Sequence, residues 1–313
     1  MPDLHADWSK IHLVASQTGA KLALRTLAAQ GTPRAVIQFN HGAAEHAGRY
    51  GEFAEKMSAA GFHFLAHDHR GHGKTEGDGV TPHMFGKKGW DLVIEDMGAI
   101  HRHIDEQYAD LPRIVMGHSM GSVASFEFML QNPDRAQAMA LLGPTLQKTP
   151  LMPVLRFLLS AEDVIRESYA YSPLFQSMVW TPFNKPFEPS RTPFDWLSRD
   201  EAQVDAYVKD EDCGWPPTVN FAREISRGIA ETYKDDRLSA LNTALPVLLM
   251  SGTQDPSTEF GKSVPELSAR LKAAGLKNID TEIFADMRHE LHNETDSAPV
   301  FERLTAWCHA NAH

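Results

Sequence analysis

Short apolar runs recur along the chain at residues 35–40, 62–66, 113–116, 136–142 and 246–250. Each is brief and bounded by Gly, Pro or Asp, the pattern of a strand buried on both faces. Between them, residues 50–60, 90–107, 120–131 and 259–274 place apolar side chains at helical spacing. Strands alternating with helices predict an α/β architecture, a mainly parallel, doubly wound sheet with helices on both faces. The rhythm stops between about residues 144 and 236. Ten of the 19 prolines fall between Pro144 and Pro217, together with Trp180, Trp196 and Trp215. Proline removes ladder donors, so regular strands are excluded there; the stretch is too long for a plain loop and too apolar for a linker. It reads as an inserted, mostly helical cap at residues 146–236. The core is then discontinuous, made of residues 1–145 and 237–313.

Composition narrows the class. The 313 residues are 42% hydrophobic and 23% charged, close to the soluble globular average. A net charge of −11 repels nucleic acid on average, so no nucleic-acid partner is expected. Cys213 and Cys308 are too few for a disulfide scaffold or a cysteine-built zinc site and read as free thiols. Residues 1–20 lack the apolar block of a signal peptide. The most apolar window, residues 151–161, is interrupted by Pro153 and Arg156 and falls short of the ~18 apolar residues of a membrane span. A soluble, cytoplasmic protein is expected.

The sharpest chemical signal is Gly117-His118-Ser119-Met120-Gly121, where an apolar strand pattern runs into a helical one. A nucleophilic serine on such a turn is lifted clear of the sheet, and the flanking glycines are needed because side chains would clash. A serine hydroxyl also needs a histidine base, itself oriented by a carboxylate. In doubly wound hydrolases these follow in the order Ser, acid, His. Asp255 lies just past the strand at 246–250, and His289 follows another strand-like run at 279–284, which satisfies both order and location. The backbone N–H groups of Met120 and of Ala43, in the loop 40–46 after an early strand, are the expected donors to a tetrahedral oxyanion.

The other histidines invite metal readings that their spacing does not support. His289-Glu290-Leu291-His292 places its histidines three apart, whereas a zincin helix needs four. His63, His67, His69 and His72 surround Asp68, but the nearby Arg70, Gly71 and Gly73 suggest a loop ordered by hydrogen bonds. No metal and no organic cofactor is expected.

Four motifs in order, residues 41–50, 66–73, 117–121 and 288–294, resemble the α/β-hydrolase superfamily in the branch of monoacylglycerol lipases and bacterial lysophospholipases, also grouped as serine aminopeptidase-like hydrolases. The resemblance implies the α/β-hydrolase fold with Ser119 as nucleophile, Asp255 as acid, His289 as base and Ala43 and Met120 as oxyanion donors. It further implies that Glu45, Arg49 and His292 line the pocket for a glycerol head group, although Glu45 and Arg49 are also one helical turn apart and could pair with each other. Ala44 stands where the family motif has Gly, and Lys74-Thr75 replaces a more usual Arg-Ser. Phe194-Asp-Trp-Leu-Ser-Arg-Asp200 in the cap looks more like bacterial members than like the lipase.

The expected activity is hydrolysis of carboxylic esters of acyl-glycerol or lysophospholipid type through an acyl-enzyme, with the apolar cap roofing Ser119 and touching membrane surfaces transiently. Two alternatives stand beside it: an aminopeptidase-type or general small-ester hydrolase, and a catalytically silent hydrolase fold that binds a ligand.

Overall fold

The computed structural model describes residues 7–146 and 152–313; residues 147–151 of the expected cap lie outside them, as do residues 1–6. Among the described residues nine strands form one sheet: β1 His12–Ala15, β2 Ala20–Leu27, β3 Ala35–Asn40, β4 Phe62–His67, β5 Glu76–Gly77, β6 Arg113–His118, β7 Ala138–Leu142, β8 Val247–Gly252 and β9 Ile279–Phe284. Their spatial order is β1-β2-β4-β3-β6-β7-β8-β9, with β5 along β2. The six strands from β4 to β9 in that order are parallel. β1, β2 and β5 are antiparallel additions at one edge.

Each central strand deals its side chains alternately to two cores, as the two-residue period of a strand requires. Ile114, Met116, Ala138, Ala140, Leu248 and Met250 face one side. There they meet Phe53 and Met57 of α1 (Gly51–Ala59) and Val300, Leu304 and Trp307 of helix Ala298–Asn311. Val115, Met139, Leu141, Val247 and Leu249 face the other. Their partners are α2 (Gly89–Gln107), α3 (Met120–Gln131) and helix Ser263–Ala273. Both faces being covered explains why these strands read as unbroken apolar runs.

Helix Ser263–Ala273 starts four residues later than the sequence pattern predicts. Glu259, Phe260 and Gly261 all have positive φ, which no α-helix accommodates.

Between β7 and β8 the chain is helical among the described residues. It holds α4 (Met152–Ile165), short turns over residues 173–187, helix Glu201–Lys209 and helix Val219–Thr232. Leu155, Leu159, Phe175, Phe221, Ile225 and Ile229 from this segment join the same core as α3. Asn220 fastens it further, its Oδ1 accepting from the Phe85 and Gly86 amides at 2.8 and 2.9 Å. The outer side of α4 is apolar and exposed: Phe157 is 72% accessible, Val164 87% and Ile165 83%.

Candidate active site

β6 runs into α3 through Ser119, whose φ of 54° and ψ of −121° are costly for a residue with a Cβ. The neighbours permit it. A Cβ on Gly117 would lie 2.2 Å from the Gly121 carbonyl oxygen, and one on Gly121 would lie 2.0 Å from that of Asn40. Only glycine fits at either position. The turn leaves Ser119 half-buried at the wall of a cavity of about 300 Å³.

Ala43 and Met120 line the same cavity. Met120 opens α3, so its amide belongs to the unpaired first turn at the positive end of the helix. Ala43 lies in a loop held from two sides. On the core side the Gly42 amide donates to Glu45 Oε1 at 2.5 Å. On the other, the Ala44 carbonyl accepts from the Tyr207 hydroxyl at 2.8 Å and the Gly214 amide at 2.9 Å, both from the helical segment. Ala44 itself has φ 53°, the region that favours the glycine of the related motif.

Asp255 ends the loop after β8 and caps the short turn Pro256–Thr258, Oδ1 accepting from the Ser257 amide at 2.9 Å and hydroxyl at 2.8 Å. Its Oδ2 lies 2.9 Å from His289 Nδ1. Burial would raise the Asp255 carboxyl, but the charge and hydrogen bond of His289, with the two Ser257 bonds, hold it below its ordinary range. Burial disfavours the His289 cation, yet Asp255 more than offsets this and the imidazole is pushed above its usual value. His289 also lines the cavity. Its ring is flanked by His118, with centroids 4.6 Å apart, and by Trp196 at 4.8 Å.

Behind the cavity wall, Arg49 joins two buried carboxylates. It contacts Glu45 and makes a two-pronged bond to Glu290 at 2.7 and 2.9 Å, with Tyr207 packed under its guanidinium. Glu45 and Glu290 are 2% and 3% exposed, and burial alone would keep them neutral. The Arg49 charge wins, holding Glu45 well below its usual range and Glu290 down to about 2. Of the three residues tied to a glycerol pocket by resemblance, Glu45 is among the cavity lining, whereas Arg49 and His292 are not. His292 lies on the Tyr50 ring at 4.9 Å, and burial presses it down to about 3.

The histidine-rich loop after β4 is organised by Asp68, which accepts from the Ala47 and Lys74 amides at 2.8 Å each. His67 and His72 are buried there and pushed down to about 4, chiefly by desolvation, while His63 instead accepts from the Ala29 amide. Among the described residues, His46, Asp210 and Cys213 approach closely enough to share an ion. His46 Nδ1, however, accepts from the Gly48 amide. The proton is therefore on Nε2, which donates to Asp210 at 2.9 Å in an ordinary hydrogen bond. Cys213 and Cys308 are buried free thiols.

Sequence reasoning did not single out Ser257, Glu290 or Trp196 as parts of the site. Asp255-Pro256-Ser257 carries a cap signature that could have pointed to Ser257. Glu290 lies within the motif 288–294 and Trp196 within Phe194–Asp200, but neither pattern marks the role of either residue.

A family model described as serine aminopeptidase, S33, matches residues 31–296. The chain belongs to that family. It is 27% identical over 95% of its length to a monoacylglycerol lipase of Mycolicibacterium smegmatis, covering 95% of that protein. It is 27% identical to the monoglyceride lipase of Mus musculus, over 95% of this chain and 89% of that one. The α/β-hydrolase fold is shared with a thermostable carboxyl esterase from Bacillus coagulans solved in complex with glycerol, at a TM-score of 0.88 and 24% identity over 96% of this chain and 98% of that one.

Proposed function

We propose that this protein is a serine hydrolase that cleaves carboxylic esters of acyl-glycerol or lysophospholipid type, with residues 146–236 acting as a cap over the site. The observation that carries the reading is Ser119, held in a costly backbone conformation at the wall of a cavity that His289 also borders, with Asp255 buried behind the imidazole and bonded to it. Ser119 Oγ bonds to the ester carbonyl carbon while its proton passes to His289; the amides of Ala43 and Met120 receive the oxyanion. His289 then gives the proton to the departing alkoxide, leaving an acyl-enzyme. Water, deprotonated by the same histidine, releases the acid and restores Ser119. Asp255 holds His289 in one tautomer throughout.

The apolar arm of the cavity, with Val123, Phe175, Val179, Ile225 and Ile229, suits an acyl chain. The relatives named monoacylglycerol and monoglyceride lipases support that substrate class. The exposed apolar side of α4 suits transient docking on the lipid surface where such substrates reside.

An aminopeptidase reading draws on the family description. It requires a carboxylate free to hold a substrate ammonium. The acidic side chains in the lining are Glu45, Glu188 and Glu290, of which Glu45 and Glu290 already share Arg49. Glu188, exposed and outside that pair, is the carboxylate an aminopeptidase would use, so the ester reading rests on the apolar lining and on the relatives. Parallel assay of p-nitrophenyl esters, monoacylglycerols and aminoacyl anilides tests it: esters turn over and anilides do not, and Ser119→Ala removes both turnover and fluorophosphonate labelling. Faster anilide cleavage would replace the ester reading, and a wild-type protein that neither turns over nor labels would leave a silent binding fold.

A further inference from the structure

The segment Phe194–Asp200, which in sequence looks more like bacterial members than like the lipase, contacts the loop that carries His289. The Glu290 amide donates to the Leu197 carbonyl at 2.7 Å, and the Ser198 hydroxyl to the Asn293 carbonyl at 2.7 Å. Arg199 Nε donates to Glu294 Oε2 at 2.7 Å, while Glu294 Oε1 accepts the Arg288 amide at 2.7 Å. The Arg288 guanidinium reaches back to the carbonyls of Asp195 and Ser198 and lies 4.1 Å over the Phe187 ring. Within this clamp the Trp196 ring lies against His289, centroids 4.8 Å apart and planes 34° apart. Trp196 is itself fixed by Phe183, 4.9 Å away, and by its amide donating to Asn184 Oδ1 at 3.0 Å.

We propose that Trp196 is a positioning residue for His289, and that residues 195–199 bind cap and histidine loop into one unit, so that the cap serves proton transfer as well as substrate binding. This rests on His289 being the base. An indole face within ~6 Å of a cation stabilises it, so Trp196 favours the imidazolium that forms when Ser119 gives up its proton. The same ring closes one face of the imidazole and prevents it from tilting away from Ser119. Other groups act on that imidazole too: Asp255 after β8, Glu45 after β3 and Glu290 beside it, all of which raise it. The His118 ring occupies a further side. Trp196 carries no charge, so its contribution is separable from theirs.

The test uses Trp196→Phe and Trp196→Leu with p-nitrophenyl acetate, whose acyl group is too short to need the apolar arm. The pH profile of kcat/KM reports the free enzyme. The acid limb should move to lower pH by about 0.5 unit in Trp196→Leu and by less in Trp196→Phe, following the loss of cation–π stabilisation. kcat should fall about tenfold in Trp196→Leu, with partial rescue by Phe, as the histidine loses its alignment. An acid limb unmoved in both variants would overturn the proposal; if Trp196→Leu fails to fold, an unmoved limb in Trp196→Phe does so alone. Full activity in His289→Ala would instead overturn the underlying assignment of the base, which separates the two failures.

Discussion

Replacing Arg49 by Met tests whether the paired carboxylates behind the cavity are structural. In the wild type one guanidinium, 9% exposed, serves Glu45 and Glu290 together. Methionine keeps much of the stem's volume but leaves two buried anions without a cation. Removing one partner of a buried pair costs about 3–5 kcal/mol. The lowering of Glu290 from 4.5 to about 2 gives a figure of the same size, about 3 kcal/mol at 1.36 kcal/mol per pH unit. The pH dependence has a definite sign. With its folded value depressed, Glu290 contributes stability that is present above the unfolded value and lost as pH falls towards 2. Without Arg49, burial dominates and raises the folded value, so the variant is penalised at neutral pH and relieved on acidification. Urea unfolding should therefore show Arg49→Met about 3–5 kcal/mol less stable at pH 7.5, with the gap narrowing towards pH 4.5. Adding Glu290→Gln should recover part of the loss, because one buried charge is gone. A variant within 1 kcal/mol of wild type, or a gap independent of pH, would refute the account and leave Glu45 and Glu290 free for another partner.

The remaining expectations concern activity. Because His289 is raised above 6.5 and must be neutral to act, kcat/KM should fall on acidification with a midpoint above 6.5; a flat profile down to about pH 5 would exclude it as the base. Asp255→Asn should cost up to about 10⁴-fold in kcat by favouring the wrong tautomer, and a harmless substitution would mean another carboxylate orients His289. Across a series of p-nitrophenyl esters, kcat/KM should rise by up to about fourfold per buried methylene and then break, and Ile225→Asn should flatten that rise while sparing acetate. Equal losses for acetate and decanoate would remove Ile225 from the acyl arm. Val164→Asp with Ile165→Asp should slow hydrolysis of vesicle-borne monoacylglycerol and leave soluble acetate esters unaffected; equal rates on vesicles would exclude α4 as the docking surface.

Much of this molecule is legible in local pattern. Central strands buried on both faces must be apolar throughout, so β3, β4, β6, β7 and β8 stand out along the chain. Ser119 needs glycines two residues away on each side, and Asp255 and His289 each follow a strand of the parallel sheet. These features depend on neighbours in sequence, which is why they can be read before any fold is known. The antiparallel edge is different. β2 reads Ala-Lys-Leu-Ala-Leu-Arg-Thr-Leu, composed largely of good helix formers, and it is a strand because it pairs with β1 and β4. Helix Ser263–Ala273 likewise begins only after a left-handed turn that periodicity does not reveal. Apart from the Glu45–Arg49 pair, one helical turn apart and readable locally, the electrostatics of the site belong to tertiary structure. Glu290 lies 241 residues from Arg49 and beside His289, and local sequence makes it part of a false zinc motif rather than an ion pair. Trp196 is one aromatic among many in the stretch 144–217 until folding sets it against an imidazole 93 residues away. Burial and charge pairing depend on which segments meet: the loops after β3 and β9 bring Arg49 to Glu290, and the helical segment between β7 and β8 brings Trp196 to His289.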